Sequence, residues 1–425
     1  MNDILPAEAP QWRRLEQAFR ARAELYGYGE VRTPILEASE LFAKQMGETS
    51  DVVEKEMYSF DRHGDALTVR PEGTAGAARA YVEHNLANQE PCTRWYYVGP
   101  MFRGERPAKG RYRQFYQAGC ELFGDAGPAT DAETIDLVLA ILRDLGIHDV
   151  TVHLNSLGDG DTRERFRAAL VEYFEPLRAT LSEDSQRRLD KNPLRILDSK
   201  DRADQEASKG APRILDILGG EDRAHFEGVK AHLRALEVPF VEDPTLVRGL
   251  DYYTRTLFEV RANNSDLGAQ STVCGGGRYD HMVEGLGGPK TPAIGFAMGL
   301  ERLLTLMPTA TGTEAPPVVL VPLLDGEATA GAADPSILAA RIAKGLREAT
   351  VRAEVDTRGG KLKNALARAE KRGARWVVIV GRNEAERGIA AIKDLAKRAQ
   401  HDVPLGEVVA WLQAARAAGD ERGTG

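Results

Sequence analysis

The sequence predicts an α+β body built on an antiparallel β-sheet flanked by helices, with a helical insert and a smaller C-terminal α/β module. Three observations predict it. Up to residue 307, β-favouring runs are joined by short polar or Gly-bearing turns and bracketed by amphipathic helical runs. From about 160 to 237 the texture turns polar and helical, and after 308 strand and helix patterns alternate. A chain of 425 residues also exceeds what one core usually serves.

The first element is a helix over 10–26, where Trp12, Leu15, Phe19, Ala23 and Tyr26 recur at three- and four-residue spacing before Gly27. "EVRTPILE" (30–37) reads as a strand whose Pro34 suits an edge or strand end. "MYSFDRHGDALTVRP" is a hairpin, and "EGTAGAARAYVEHNLA" a helix. "RWYYVGPMFR" and "YRQFYQAGCELFG" are strands joined by the basic loop "GERPAKGR". "TDAETIDLVLAILRDLGI" is a helix with an acidic start and a Gly stop, followed by the strand "DVTVHLN". After the insert, strands resume at "VPFVED" and run through "VRGLDYYTRTLFE" (247–259) to "STVCGGGRYD". "PAIGFAMGLERLLTLM" (292–307) reads as a helix. "PTATGTEAPP" (308–317) is a linker candidate. Residues 318–425 alternate strand and helix and predict a largely parallel sheet.

Composition bounds the function. Hydrophobic residues make up 42% and charged residues 28%, as in ordinary globular proteins. No apolar run reaches membrane-spanning length, and "MNDILPAEAP" lacks the features of a secretory signal. Cys92, Cys120 and Cys274 are few and scattered, which fits a reducing cytoplasm and makes no metal motif. The net charge of −8 is uneven. Residues 316–425 carry 18 Lys and Arg against 14 Asp and Glu, a surplus compatible with polyanion contact. Walker A and GxSxG motifs are missing, so neither P-loop hydrolysis nor an esterase elbow is expected.

The chemistry-bearing residues cluster in a few stretches. Strand alternation puts Gln117 and Glu121 on one face, where Arg103 of the preceding strand can converge with them. The intervening loop carries Arg106, Lys109, Arg111 and Arg113, forked or point cations suited to phosphates, and Phe115 can stack on a ring. Glu72 and Thr74 sit at a helix start, where ordinary capping would also explain them. Gly295, Gly299 and Arg302 suit a planar ligand with a terminal phosphate, or simple close packing. "CGGGRYD" (274–280) marks a bulge or a place where ligand meets backbone. In "VRGLDYYTRTLFE", Phe258 and Val260 share a packing face, while Asp251, Arg255 and Glu259 receive no role.

Taken together, these stretches resemble the histidyl-tRNA synthetases of bacteria, which are class II aminoacyl-tRNA synthetases. "YGEVRTPILE", "FRGERPAKGRYRQF" and "GFAMGLERLL" are similar to class II motifs 1, 2 and 3. "LVRGLDYYTRTLFE" and "CGGGRYD" resemble the histidine-specific signatures, and "NSLGD", "NPLRILDSK", "GRNE" and "IKDL" fit the same family. Motif 2 departs in reading "FRGERPAKG" and "QFYQ", where the family more often has a bulkier residue after FR, Gln after Pro and His before Gln.

The resemblance implies a class II synthetase fold with a catalytic domain over 1–307, a linker at 308–317 and an anticodon-binding domain over 318–425. It implies activation of L-histidine with ATP and Mg²⁺, then transfer to tRNA(His), by a cytoplasmic homodimer free of membranes. Arg103 and Arg248 would be catalytic, with no metal held by protein ligands. ATP would meet Arg103, Glu105, Arg111, Phe115 and Arg302. Histidine would meet Glu72, Thr74, Arg103, Gln117, Glu121, Arg248, Tyr252, Tyr253 and Tyr279. A non-catalytic paralogue, the regulatory subunit of ATP phosphoribosyltransferase, is the alternative. It commonly lacks the C-terminal module and the signatures retained here.

Overall fold

The computed structural model describes residues 2–46, 52–105, 111–248, 250–263, 271–308, 317–323 and 334–420. The chain divides into two compact units, Met1–Thr309 and Ala310–Gly425. Arg106, Lys109 and most of the linker candidate lie outside the described residues. Among the described residues, no helix is long and apolar enough to cross a membrane.

The first unit contributes eleven strands: β1 (Gly29–Glu30), β2 (Leu36–Ala38), β3 (Tyr58–Arg62), β4 (Asp65–Val69), β5 (Thr93–Phe102), β6 (Gln114–Phe123), β7 (Val150–Ser156), β8 (Phe240–Glu242), β9 (Thr254–Ala262), β10 (Thr272–Arg278) and β11 (Ala293–Gly299). Eight form one sheet in the order β1-β5-β6-β11-β10-β9-β7-β8. Every pairing from β5 across to β7 is antiparallel, while β1 and β8 add parallel edges. Strands β2, β4 and β3 make a small separate sheet.

One face of the large sheet is packed with helices. Ala118, Cys120 and Leu122 of β6 alternate onto it and join Ile294, Phe296 and Met298 of β11. The helix Ala9–Leu25 lays Leu15, Phe19 and Ala23 against them, all fully buried. Phe19 meets Tyr96 and Phe296 edge-on, with ring centroids 6.1 and 6.5 Å away. Burying one such ring contributes about 1.5–3 kcal/mol. The helix Pro128–Asp144 adds Ile135, Val138 and Leu142 to the same core. The other face carries polar residues and glycine over its middle, while Phe123 and Ala293 pack at one end with Tyr81 and Tyr279.

Three readings of the sequence change in this unit. Residues 292–307 are not one helix: β11 occupies Ala293–Gly299, and a short helix follows at Leu300–Leu306. Two glycines in seven residues cost a helix about 1 kcal/mol each, whereas β11 satisfies its backbone on both sides, against β6 and β10. "EVRTPILE" is split between β1 and β2, because Pro34 has no N–H to continue a ladder. The ladder of β9 begins only at Thr254, so 247, 248 and 250–253 are not strand.

The insert consists of the helices Gly160–Phe174, Glu183–Lys191, Arg202–Ser208, Ile214–Ile217 and Gly220–Ala235 with 3₁₀ turns between. Asp159 caps the first by accepting from Gly160 N at 2.8 Å, and Ser182 caps the second from Ser185 N. Phe166, Leu170, Phe174, Leu189 and Phe226 are buried, continuous with the core under the large sheet.

The second unit has β12 (Val318–Pro322), β13 (Ala353–Val355), β14 (Trp376–Val380), β15 (Ile389–Asp394) and β16 (Ala399–Pro404) in the order β13-β12-β14-β15-β16. Its sheet is mixed rather than largely parallel. Helical crossovers make β13-β12-β14 parallel, but β14–β15 and β15–β16 are antiparallel. The connection from Asp394 to Ala399 is too short for a crossover.

Candidate active site

The polar face of the large sheet has a floor almost without side chains. Across it, Gly275 pairs with Ala297, Gly277 with Gly295, and Gly119 with Ala297. A Cβ on Gly295 would lie 1.8 Å from Glu121 Oε2, and one on Gly275 would lie 2.5 Å from Arg248 Nη2. One on Gly119 would meet the Tyr97 hydroxyl at 2.4 Å. These glycines are what allow large polar groups to lie flat on the sheet. Above them opens a cavity of about 1110 Å³, whose walls include every ATP- or histidine-site residue named from the sequence except Glu121, which is hydrogen-bonded behind the lining residues Thr74 and Tyr279.

At one end Glu121 is fully buried. Its Oε1 accepts from Thr74 Oγ1 at 2.6 Å and Tyr97 OH at 3.2 Å, and its Oε2 accepts from Tyr279 OH. Burial outweighs these bonds and pushes its carboxyl up to about 8. Glu72 is also buried, and burial raises its carboxyl. Its Oε1 accepts from Ala75 N at 2.8 Å, as helix capping requires, but its Oε2 accepts from Tyr252 OH at 3.2 Å. Tyr252 lies 4.6 Å from Tyr253 and 5.8 Å from Tyr279, centroid to centroid. Gln117 points its Oε1 into the buried space, where it accepts no hydrogen bond from the described residues.

At the other end the cations gather. Arg103 donates Nε to the Pro71 carbonyl at 2.9 Å and lies 5.4 Å from the Phe115 ring centroid. Arg111 pairs with Glu105 at 3.2 Å. Arg302 donates to the Thr272 carbonyl at 2.6 Å. Its guanidinium is driven down first by burial and then by the charges of Arg111, Arg248 and Arg103. Arg248 pairs with Glu259, whose Oε2 also accepts from Arg261 Nε at 2.9 Å and Thr272 Oγ1 at 3.0 Å. Glu259 is thus the partner that aims Arg248. Period-two alternation places it opposite Phe258 and Val260, so its face, though not its partner, is legible in the sequence. Glu301 was missed as well: it accepts the Tyr116 N–H through both oxygens, and burial pushes its carboxyl up to about 7.

The deciding observation is that the family model described as histidyl-tRNA synthetase matches residues 1–160 and 194–303. The chain belongs to the histidyl-tRNA synthetase family. A model described as an anticodon binding domain matches 318–415. The chain is 62% identical over 405 residues to the histidine–tRNA ligase of Sorangium cellulosum, covering 95% of this chain and 93% of that one. It is 47% identical over 421 residues to that of Bacillus velezensis, covering 97% of each. The apo histidyl-tRNA synthetase of S. aureus superposes with a TM-score of 0.79 at 34% identity, over 97% of each chain. The histidyl-tRNA synthetase match passes over residues 161–193, the first part of the insert.

Proposed function

We infer that this chain is a histidine–tRNA ligase, activating L-histidine with ATP to histidyl-adenylate and pyrophosphate. Histidine then passes to the 3′-terminal adenosine of tRNA(His). What carries the reading, beyond family membership, is the convergence of Arg103, Arg248, Arg302 and Gln117 around one cavity over a glycine-floored sheet face, with Glu121 bonded behind its wall through Thr74 and Tyr279.

The reaction brings a carboxylate onto the α-phosphate, so its chemistry is positioning and charge neutralisation. Arg103 and Arg248 neutralise the α-phosphate and the histidine carboxylate, and Glu259 fixes Arg248 for that task. Phe115, already under Arg103, stacks on adenine, and Glu105 borders it. Arg111 and Arg302 hold the outer phosphates. Mg²⁺ is a hard, oxygen-seeking ion that would supply charge neutralisation at those phosphates, and Glu105 and Glu301 are the carboxylates on that stretch of the wall that would meet it. Gln117 Oε1 supplies an acceptor for the α-ammonium, beside Glu72 and Thr74. Glu121, poised at about 8, can offer the imidazole either a proton or a lone pair. Tyr252, Tyr253 and Tyr279 wall that end. A site that hydrogen-bonds its substrate this fully rejects analogues by about 10⁴ or more.

The boundaries that fit this role are a catalytic domain over 1–307, a linker at 308–317 and an anticodon-binding domain from 318. The exposed apolar Leu36, Tyr58 and Phe60 on the small sheet supply a face for a homodimer. Three free cysteines fit the cytoplasm. The regulatory-subunit alternative is disfavoured by the retained arginines and the anticodon-binding match. Purified protein is expected to exchange pyrophosphate into ATP only when histidine is present. Exchange with another amino acid, or none at all, would remove this reading.

A further inference from the structure

The segment carrying Tyr252 and Tyr253 lies before the first ladder residue of β9, Thr254. Asp251 N donates to the Met46 carbonyl at 3.3 Å and Tyr252 OH to Glu72, and the remaining hold on the segment's backbone comes from the helical insert. Arg163, half-buried in the helix Gly160–Phe174, donates Nη1 to the Tyr253 carbonyl and Nη2 to the Asp251 carbonyl, both at 3.0 Å. These two carbonyls flank Tyr252. Asn192 Nδ2 donates to Asp251 Oδ1 at 2.9 Å. Just beyond, Arg255 takes a φ of 35°, a conformation that side-chain-bearing residues rarely adopt. Its Nε donates to Asp222 of the insert at 3.1 Å, and its N–H to the Gly158 carbonyl at 2.9 Å. The residues left without a role by the sequence, Asp251 and Arg255, are therefore the handles by which the insert grips the segment.

We propose that Arg163 is a positioning residue for histidine recognition, its planar fork fixing the backbone on both sides of Tyr252. The inference rests on the function proposed above. It assigns work to the stretch of insert that the family match passes over. A guanidinium can hold two carbonyls at set directions at once, which a lysine ammonium cannot reproduce. Without it, the backbone on both sides of Tyr252 is loosened, and the aim of Tyr252 and Tyr253 rests on the weaker contacts to Glu72 and Tyr279. The nucleotide contacts at Arg103, Arg111 and Arg302 touch other elements and are left in place.

The test is histidine-dependent pyrophosphate exchange on the full chain, for wild type, Arg163→Ala, Arg163→Lys and Asn192→Ala. Arg163→Ala is expected to raise the KM for histidine about 10-fold or more, the size of a lost charged hydrogen-bond pair. The KM for ATP should move by no more than about twofold. Arg163→Lys should fall between, and Asn192→Ala should shift the histidine KM in the same direction by less. A histidine KM unchanged in Arg163→Ala, or KM values for histidine and ATP rising together, would overturn the proposal. If Arg163→Ala does not fold, an unchanged histidine KM in both Arg163→Lys and Asn192→Ala overturns it equally. Absence of histidine-dependent exchange in wild type would instead sink the ligase reading, so the two failures are told apart.

Discussion

At Glu121, burial and hydrogen bonding oppose each other: three hydroxyls converge on a carboxyl that no solvent reaches, and burial wins. The consequence for stability has a definite sign. The unfolded carboxyl ionises near its ordinary 4.5, while the folded one keeps its proton to about 8. Between those values the unfolded state has lost a proton that the folded state retains, so rising pH favours unfolding. The contribution of this group is therefore full below 4.5 and gone above about 8. Glu121→Gln cannot titrate. Its melting temperature without ligand, relative to wild type, should climb as pH rises from 5 to 8 and level off beyond. A constant difference across that range would show that Glu121 does not titrate there. At this scale the sequence was informative about residue type and parity. Gln117 and Glu121 share a face because strands alternate, but Glu259 required knowing that Arg248 folds back onto β9. Pairings that arise from a turn cannot be read from spacing.

Among the elements, β11 is where local pattern misled. "AIGFAMGLERLL" has helical spacing among its apolar residues, and the GxxxG it contains suggests a packed helix. The choice is made by the neighbours: only a strand fits between β6 and β10, and only glycine fits over Glu121. Hairpins with polar turns, such as β3–β4 and the long β5–β6 pair, were legible because their partners are adjacent in sequence. Pairings with a distant strand were not. Gly295→Ala tests the floor directly, because its Cβ would sit 1.8 Å from Glu121 Oε2 and 2.6 Å from the Cys120 carbonyl. Overpacking of this kind costs about 1–3 kcal/mol. The urea midpoint should fall, and the histidine KM should rise as Glu121 is pushed aside. A variant with both values unchanged would mean that the floor yields without cost.

For the whole molecule, two units with separate cores divide the work. Residues 1–309 expressed alone should retain histidine-dependent pyrophosphate exchange but lose most tRNA charging. Charging at the full-length rate would mean that the second unit does not read the tRNA. The architecture was legible at this scale because a change of texture at 160 and the onset of alternating strands and helices after 318 are large signals. The parallel or antiparallel sense of the last strands was not, since it depends on one short connection.

The crowd of arginines over the glycine floor carries a final consequence. Burial lowers the hold of Arg302 on its proton, and the charges of Arg111, Arg248 and Arg103 lower it further against the opposing charge of Glu105. An anionic nucleotide bound among these arginines would be favoured by their charge. A ligand bound only by the folded state adds stability in proportion to the logarithm of its concentration. The melting temperature is therefore expected to climb with ATP concentration, and a value that stays constant would show that the folded state does not take the nucleotide.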